Sequence, residues 1–242
     1  MAIAQFQFCH SAILPSCDFR YSLCAVSLHL VDHPIVHDAL VMLRDARTPP
    51  EHFRRAARRI SVLMAAEALR DLPTAAVTVE GPLGLAPGRR LAADVVVVPV
   101  LRAGLSMLDA VLELVPQARV GHIGLQRDER TAVPSKYYSK LPPGLDRSCV
   151  LMIDPMLATG GSIVAAIGLL REAGARLVRF ACIVAAPEGV ALVGRHYPDV
   201  AIYAPVVDRG LDAQKYIVPG LGDFGDRLYG TAQEVTHANP EP

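Results

Sequence analysis

The sequence predicts an α/β fold: an open, mostly parallel sheet with helices on both faces, a β-arm excursion and a C-terminal hood of loops. Three observations predict it. Apolar runs of strand length recur at residues 95–100, 150–153, 177–185 and 200–205, and continuous apolar character is what a strand buried on both faces requires. Between them, at 105–114, 163–173 and 187–196, apolar residues recur at three and four, and such β–α alternation implies parallel strands joined by helices. Finally, 52% of the 242 residues are hydrophobic and 20% charged, which supports a substantial core in one domain.

In chain order, residues 1–25 hold three of the five cysteines and show no period, so they are expected to form a disordered tail, with 26–242 a single domain. Residues 1–8 carry no charge, which weakens a secretory-signal reading. Residues 26–31 are strand-like, and His33-Pro34 opens a helical pattern. A second helix is expected from about Pro50, with Phe53, Ile60, Leu63 and Met64 offset from Arg54, Arg55, Arg58 and Arg59. That basic run reads as a solvated or salt-bridged face; a nucleic-acid patch is the weaker alternative, because interleaved aromatics are missing. Residues 74–80 alternate as a strand, and Gly81-Pro82, Gly84 and Pro87-Gly88 read as turns. Residues 118–126 return to the sheet. The polar segment 127–143, with Tyr137 and Tyr138, suits a β-arm or hairpin, and the glycine- and aspartate-rich chain from Val207 reads as loops over one sheet edge.

Composition excludes several function classes. With 24 basic and 24 acidic residues the formal net charge is +0, so no global field draws nucleic acid or an anionic membrane. Lysine occurs only at 136, 140 and 215 and never after glycine, which excludes a Walker A phosphate loop. Cys9, Cys17, Cys24, Cys149 and Cys182 are odd in number and lack C-x-x-C spacing, so neither a disulfide framework nor a cysteine zinc site is indicated; a reducing, cytoplasmic setting is expected. No apolar run approaches the ~18 residues of a membrane span, so no membrane association is expected.

Three motifs carry chemistry. In VLMIDPMLATGGS, residues 150–162, an apolar run ends at Asp154-Pro155, and Thr159-Gly160-Gly161-Ser162 then leads into a helical pattern. Glycines let backbone N–H groups approach an anion, the hydroxyls add donors, and the helix N-terminus favours negative charge. The dipole is worth only ~0.3–1 kcal/mol, so several N–H bonds must share the work. The same residues also fit an ordinary strand–turn–helix. In the second motif, 95–104, a valine run ends in Pro-Val-Leu-Arg-Ala-Gly and delivers Arg102 to the carboxyl end of a strand, where ligands bind in open α/β sheets. Arg102 is there a phosphate clamp or the partner of a surface carboxylate. Third, Gly220, Gly222 and Gly225 satisfy G-x-G-x-x-G, but the chain ends 17 residues later, too soon for the helix, strand and acid of a dinucleotide site. A glycine-rich loop instead suits base recognition through main-chain groups.

The 150–162 stretch resembles the phosphoribosyl-diphosphate signature of the type I phosphoribosyltransferases, and its wording looks like the uracil phosphoribosyltransferase version. The general family has two acids at the strand end, whereas here the second is Pro155, a departure typical of the uracil branch. The V-P-x-L-R-A-G and GLGDFGD segments are similar to further motifs of that branch, and the likeness covers about residues 27–231. It implies transfer of a phosphoribosyl group from 5-phospho-α-D-ribose 1-diphosphate to N1 of uracil, with Asp154, Arg102 and Asp223 catalytic. By resemblance Arg102, Arg127, Asp154, Pro155, Met156, Leu157, Ala158, Thr159, Gly160, Gly161, Ser162 and Asp223 bind phosphoribosyl diphosphate, and Ile217, Gly222, Asp223 and Phe224 meet uracil. The resemblance further implies Mg²⁺ held through substrate and water, with Asp223 a potential ligand, a homodimer or homotetramer, and GTP as a potential effector. An RNA-binding pyrimidine-operon regulator on the same fold is the alternative; the unpaired acid and neutral charge argue against it.

Overall fold

Eight strands form the main sheet of the computed structural model, which describes residues 27–127 and 134–231; the expected tail at 1–25 lies outside the described residues. The chain runs β1 (Leu28–Leu30), α1 (Pro34–Arg44), α2 (Pro50–Ala68), β2 (Thr74–Gly81), β3 (Gly84–Leu91), β4 (Asp94–Leu101), α3 (Leu105–Leu114), β5 (Arg119–Val120), β6 (His122–Arg127) and β7 (Pro134–Lys140). It continues as β8 (Ser148–Ile153), β9 (Met156–Leu157), α4 (Gly161–Glu172), β10 (Leu177–Ala181), β11 (Val184–Ala185), α5 (Pro187–His196), β12 (Ala201–Ala204), β13 (Gly210–Leu211), β14 (Ile217–Val218) and α6 (Phe224–Tyr229).

The sheet order is β1-β12-β10-β8-β4-β6-β7, with β5 beside β4, and every pair except β6/β7 is parallel. All six residues of β8 are buried, as are Val95, Val96, Val97, Val98 and Val100 of β4. These runs are continuous because helices cover both faces: α1, α2, α3 and α6 contribute to one core cluster, α4 and α5 to the other. Each such apolar side chain is worth about 1.5–3 kcal/mol on burial, so the two central strands contribute heavily to the core. After β4 the chain moves toward β6 and after β8 toward β10, so the direction of winding reverses between these neighbours. A crevice opens at such a reversal, beyond the carboxyl ends of the strands.

Two expectations are corrected. The turn cluster at 81–88 is mostly strand: β3 pairs with β2 in a detached ribbon closed at Gly81–Gly84, where Gly84 takes a φ of 133°. Pro87 is tolerated opposite Thr78 because a two-stranded ribbon has free edges that need no donor. The segment 118–126 returns to the sheet as two strands, β5 and β6, both beside β4, with Gly121 between them donating its N–H to Val97 O. A short helix, α6, follows Gly220 and Gly222 and takes in Gly225, where only loop was expected; Asp223 caps it by accepting from Asp226 N–H at 2.9 Å. The dinucleotide reading still fails, because β14 before those glycines pairs antiparallel with β13 and belongs to no βαβ unit. The expected arm at 127–143 is the β6–β7 hairpin, with residues 128–133 outside the described residues.

The basic face of α2 is salt-bridged within the chain: Arg55 to Glu51, Arg58 to Glu113 and Arg59 to Asp38, while Arg54 donates to Leu228 O. Cys149 and Cys182 are buried free thiols, and burial pushes both pKa values up, Cys182 far beyond the ordinary range. The thiolate is the reactive form, so iodoacetamide should leave both residues unmodified in the folded protein at pH 8 and alkylate both in denaturant; peptide mass spectrometry reads the difference.

Candidate active site

A cavity of about 210 Å³ opens at the carboxyl ends of β4 and β8, lined by Ala103, Asp154, Met156, Ala158, Gly160, Ser162, Ile163, Asp223, Phe224 and Gly225. It joins three segments far apart in sequence. Asp154 leaves the end of β8; its N–H donates to Ala181 O, and its Oδ1 accepts from Met156 N–H at 3.1 Å, folding the chain back into β9. β9 pairs with β11, and the strand period of two then sorts the signature residues. Met156 and Ala158 line the cavity, whereas Pro155 and Leu157 are buried and spend their carbonyls on Ile183, Val184 and Ala186.

Gly160 precedes α4 at a φ of 84°, a left-handed conformation that suits glycine. Its missing side chain matters twice, for a Cβ there would lie 2.9 Å from Gly189 O. No side chain caps α4, so Gly160 brings no competing acceptor to the first-turn N–H groups beside Ser162. Thr159 and Gly161 are half-buried on the same turn, outside the cavity lining.

Arg102 follows β4, next to the cavity-lining Ala103, and the Leu101–Arg102 peptide is cis. Its side chain is exposed and makes no hydrogen bond or ion pair among the described residues, so the carboxylate partner considered for it is not found there. Arg127 ends β6, but its side chain lies outside the described residues.

On the opposite wall, Asp223 and Phe224 close the cavity, with Ile217 buried and Gly222 exposed on the same loop but outside the lining. The Phe224 ring is 2% exposed and meets Phe53 edge-on with centroids 5.0 Å apart, while Arg227 sits 4.4 Å above the Phe53 ring. Phe224 is therefore chiefly an anchor of α6 on α2, as well as a border of the cavity.

The family model described as uracil phosphoribosyltransferase matches residues 30–231, most of the chain. The chain belongs to the uracil phosphoribosyltransferase family. A uracil phosphoribosyltransferase of Dictyoglomus thermophilum is 50% identical over 203 residues, covering 84% of this chain and 98% of its own. One from Rhodococcus opacus is 48% identical over 206 residues, covering 85% and 99%. Among solved structures, the AQ2163 protein from Aquifex aeolicus matches with a TM-score of 0.81 and 35% identity, over 85% of this chain and 99% of that one.

Sequence reasoning missed the residues that let the segments of this family member meet. A Cβ on Gly104 would lie 2.5 Å from Ile153 O and 2.7 Å from Val100 N and O, so only glycine lets the Arg102 turn tuck under β8. Gly189, in the first turn of α5, would place a Cβ 2.4 Å from Ala158 O. A glycine inside a helix without a turn to make is a signal for such close approach, and it was available at 189. Arg44 and Asp208 pair beneath the 217–224 loop, and no sequence signal joins two residues 164 apart.

Proposed function

We propose that this chain transfers the phosphoribosyl group of 5-phospho-α-D-ribose 1-diphosphate to N1 of uracil, giving UMP and diphosphate. The observation that carries the reading is the cavity in which Asp154 and the Gly160–Ser162 turn face the Asp223–Gly225 segment, in a chain whose family relatives are named for this activity. The C1–O bond to diphosphate breaks, N1 of uracil bonds to C1, and the N1 proton leaves to solvent. Positive charge develops on the ribose ring as diphosphate departs, so catalysis comes from charge stabilisation and positioning.

In this reading the 159–162 turn and the α4 N-terminus hold the 5-phosphate, while Asp154 accepts from the ribose hydroxyls. Met156 and Ala158 shape that half of the cavity, and Pro155 and Leu157 act through the main chain. Arg102, with Arg127, takes up charge on the diphosphate through its planar fork. Main-chain groups of Ile217, Gly222, Asp223 and Phe224 meet the uracil rim. Two carboxylates at the cavity, Asp154 and Asp223, offer oxygen ligands without forming a cage, and no cluster of three or more metal-ligating side chains occurs among the described residues. That donor set fits a Mg²⁺ carried on the diphosphate and keeping its waters, with Asp223 within its outer sphere; the ion would neutralise leaving-group charge.

No helix among the described residues is long and apolar enough to cross a membrane, and a cytoplasmic location accords with the free thiols at 149 and 182. The exposed Leu83 and Leu85 on the β2–β3 ribbon favour a homo-oligomer. The deciding experiment is a phosphoribosyl-diphosphate-dependent assay with Mg²⁺ that compares uracil, cytosine, orotate and hypoxanthine. UMP formation with marked preference for uracil is expected; preference for another base would overturn the reading.

Asp223 tests the site on its own. Because asparagine caps a helix as well as aspartate does, Asp223→Asn should leave the melting temperature within about 2 °C while kcat falls at least tenfold; Asp223→Ala should also cost about 1 kcal/mol through the lost cap. Wild-type kinetics in Asp223→Asn would remove the residue from the reaction.

A further inference from the structure

We propose that Arg44 and Asp208 are positioning residues for the base: they hold the main chain at Gly220 so that the 217–224 loop presents its polar groups in register with uracil. The inference rests on the proposed function and deepens it.

Arg44 is the last residue of α1, and Asp208 follows a bridge between Ala185 and Val207, anchored by its own N–H to Ala185 O at 2.8 Å. The Asp208 side chain is only 3% exposed, and a carboxylate that deep must be paired and hydrogen-bonded. Arg44 Nη2 donates to Oδ1 at 2.7 Å, and Nη1 to Oδ2 at 3.0 Å. The pair does not stop at each other. Gly220 N–H donates to Asp208 Oδ2 at 2.8 Å, and Arg44 Nη1 donates to Gly220 O at 3.0 Å. Both main-chain polar groups of one loop residue are thus bound by the same ion pair.

Gly220 also takes a left-handed backbone conformation. Its φ is 59°, and a Cβ there would fall 2.0 Å from Ile217 O. Nearby, Arg227 Nη1 takes Leu221 O at 2.9 Å, so the main chain on that side is held too. Gly222–Phe224, which reaches the cavity at Asp223 and Phe224, comes directly after these anchors, and its placement follows from the two anchored residues before it. A buried ion pair contributes little net stability over an apolar replacement but fixes geometry, which fits a positioning role.

The phosphate half of the cavity hangs on β8, β9, α4 and α5 and meets this pair only through β11, where Ala185 O accepts the Asp208 N–H, a main-chain bond that a side-chain substitution leaves in place. Disturbing the clamp should therefore separate the two substrates. Lysine cannot replace Arg44, because one ammonium cannot span two carboxylate oxygens and a carbonyl in a plane.

The test is steady-state kinetics of Arg44→Lys and Asp208→Asn, varying uracil and phosphoribosyl diphosphate in turn, with thermal melts alongside. The KM for uracil is expected to rise at least tenfold while that for phosphoribosyl diphosphate stays within twofold. A lower Tm with both KM values unchanged, or both raised alike, would mean a merely structural pair and overturn the proposal. Should Arg44→Lys fail to fold, Asp208→Asn, which keeps its volume and an acceptor for Gly220 N–H, is judged by the same ratio. Wild-type protein inactive with uracil would remove the proposed function and this inference together, whereas active wild type with unsplit KM values removes the clamp alone.

Discussion

Asp154→Asn is expected to lower kcat/KM for both substrates by about 10²–10³-fold, the size of losing one electrostatic group from a preorganised site. The substitution is chosen so that charge alone changes. Asparagine retains an oxygen to accept from Met156 N–H, the bond that turns β8 into β9, and so the cavity wall should survive. What it loses is a charged acceptor for the ribose hydroxyls, and hydrogen bonds to ionised groups are about twice as strong as neutral ones. The question is sharper here than in a site with paired acids, since Pro155 leaves no second carboxylate at the strand end. Steady-state kinetics with circular dichroism as a fold control decides it, and activity within threefold of wild type would remove Asp154 from its role.

Gly104→Ala should be more damaging than its size suggests. The added methyl meets Ile153 O at 2.5 Å and Val100 N and O at 2.7 Å, all main-chain atoms of the two most buried strands, which cannot swing aside as a side chain would. Overpacking of this kind costs about 1–3 kcal/mol, and a domain this size loses about 2–4 °C in Tm for each of them. The softer side of the clash is the 102–104 turn, so that turn moves and carries Arg102 with it. A shift of about 1 Å can cost 10²-fold in rate. A thermal melt and kcat/KM together test this; wild-type activity would show that the turn tolerates the shift.

These residues mark how far the chain could be read before it was folded. Strands β4 and β8 were legible because burial on both faces demands unbroken apolar runs, and a run of that kind has few other uses. Asp154 and the 159–162 turn were legible because chemistry and local backbone sit side by side in sequence. The β2–β3 ribbon was misread in part as turns: glycine and proline signal breaks, whereas strand formation at residues such as Pro87 and Gly88 depends on the partner strand they pair with across the hairpin. The α6 helix was missed because six residues carry too little periodicity to be seen, although its capping aspartate was in plain view.

By itself, the sequence determined the sheet's central strands, the helices between them and the local chemistry of three motifs, since each of these depends on residues within a few positions of one another. Only the tertiary structure decided that Asp154, Ser162 and Asp223 line one cavity, that Pro155 and Leu157 turn into the core, and that Phe224 anchors a helix. It alone also brought Arg44 to Asp208 and made glycine necessary at 104 and 189. The physical reason is common to all of these: they depend on distances between segments that the sheet order sets, and no periodicity or spacing along the chain encodes a distance across it.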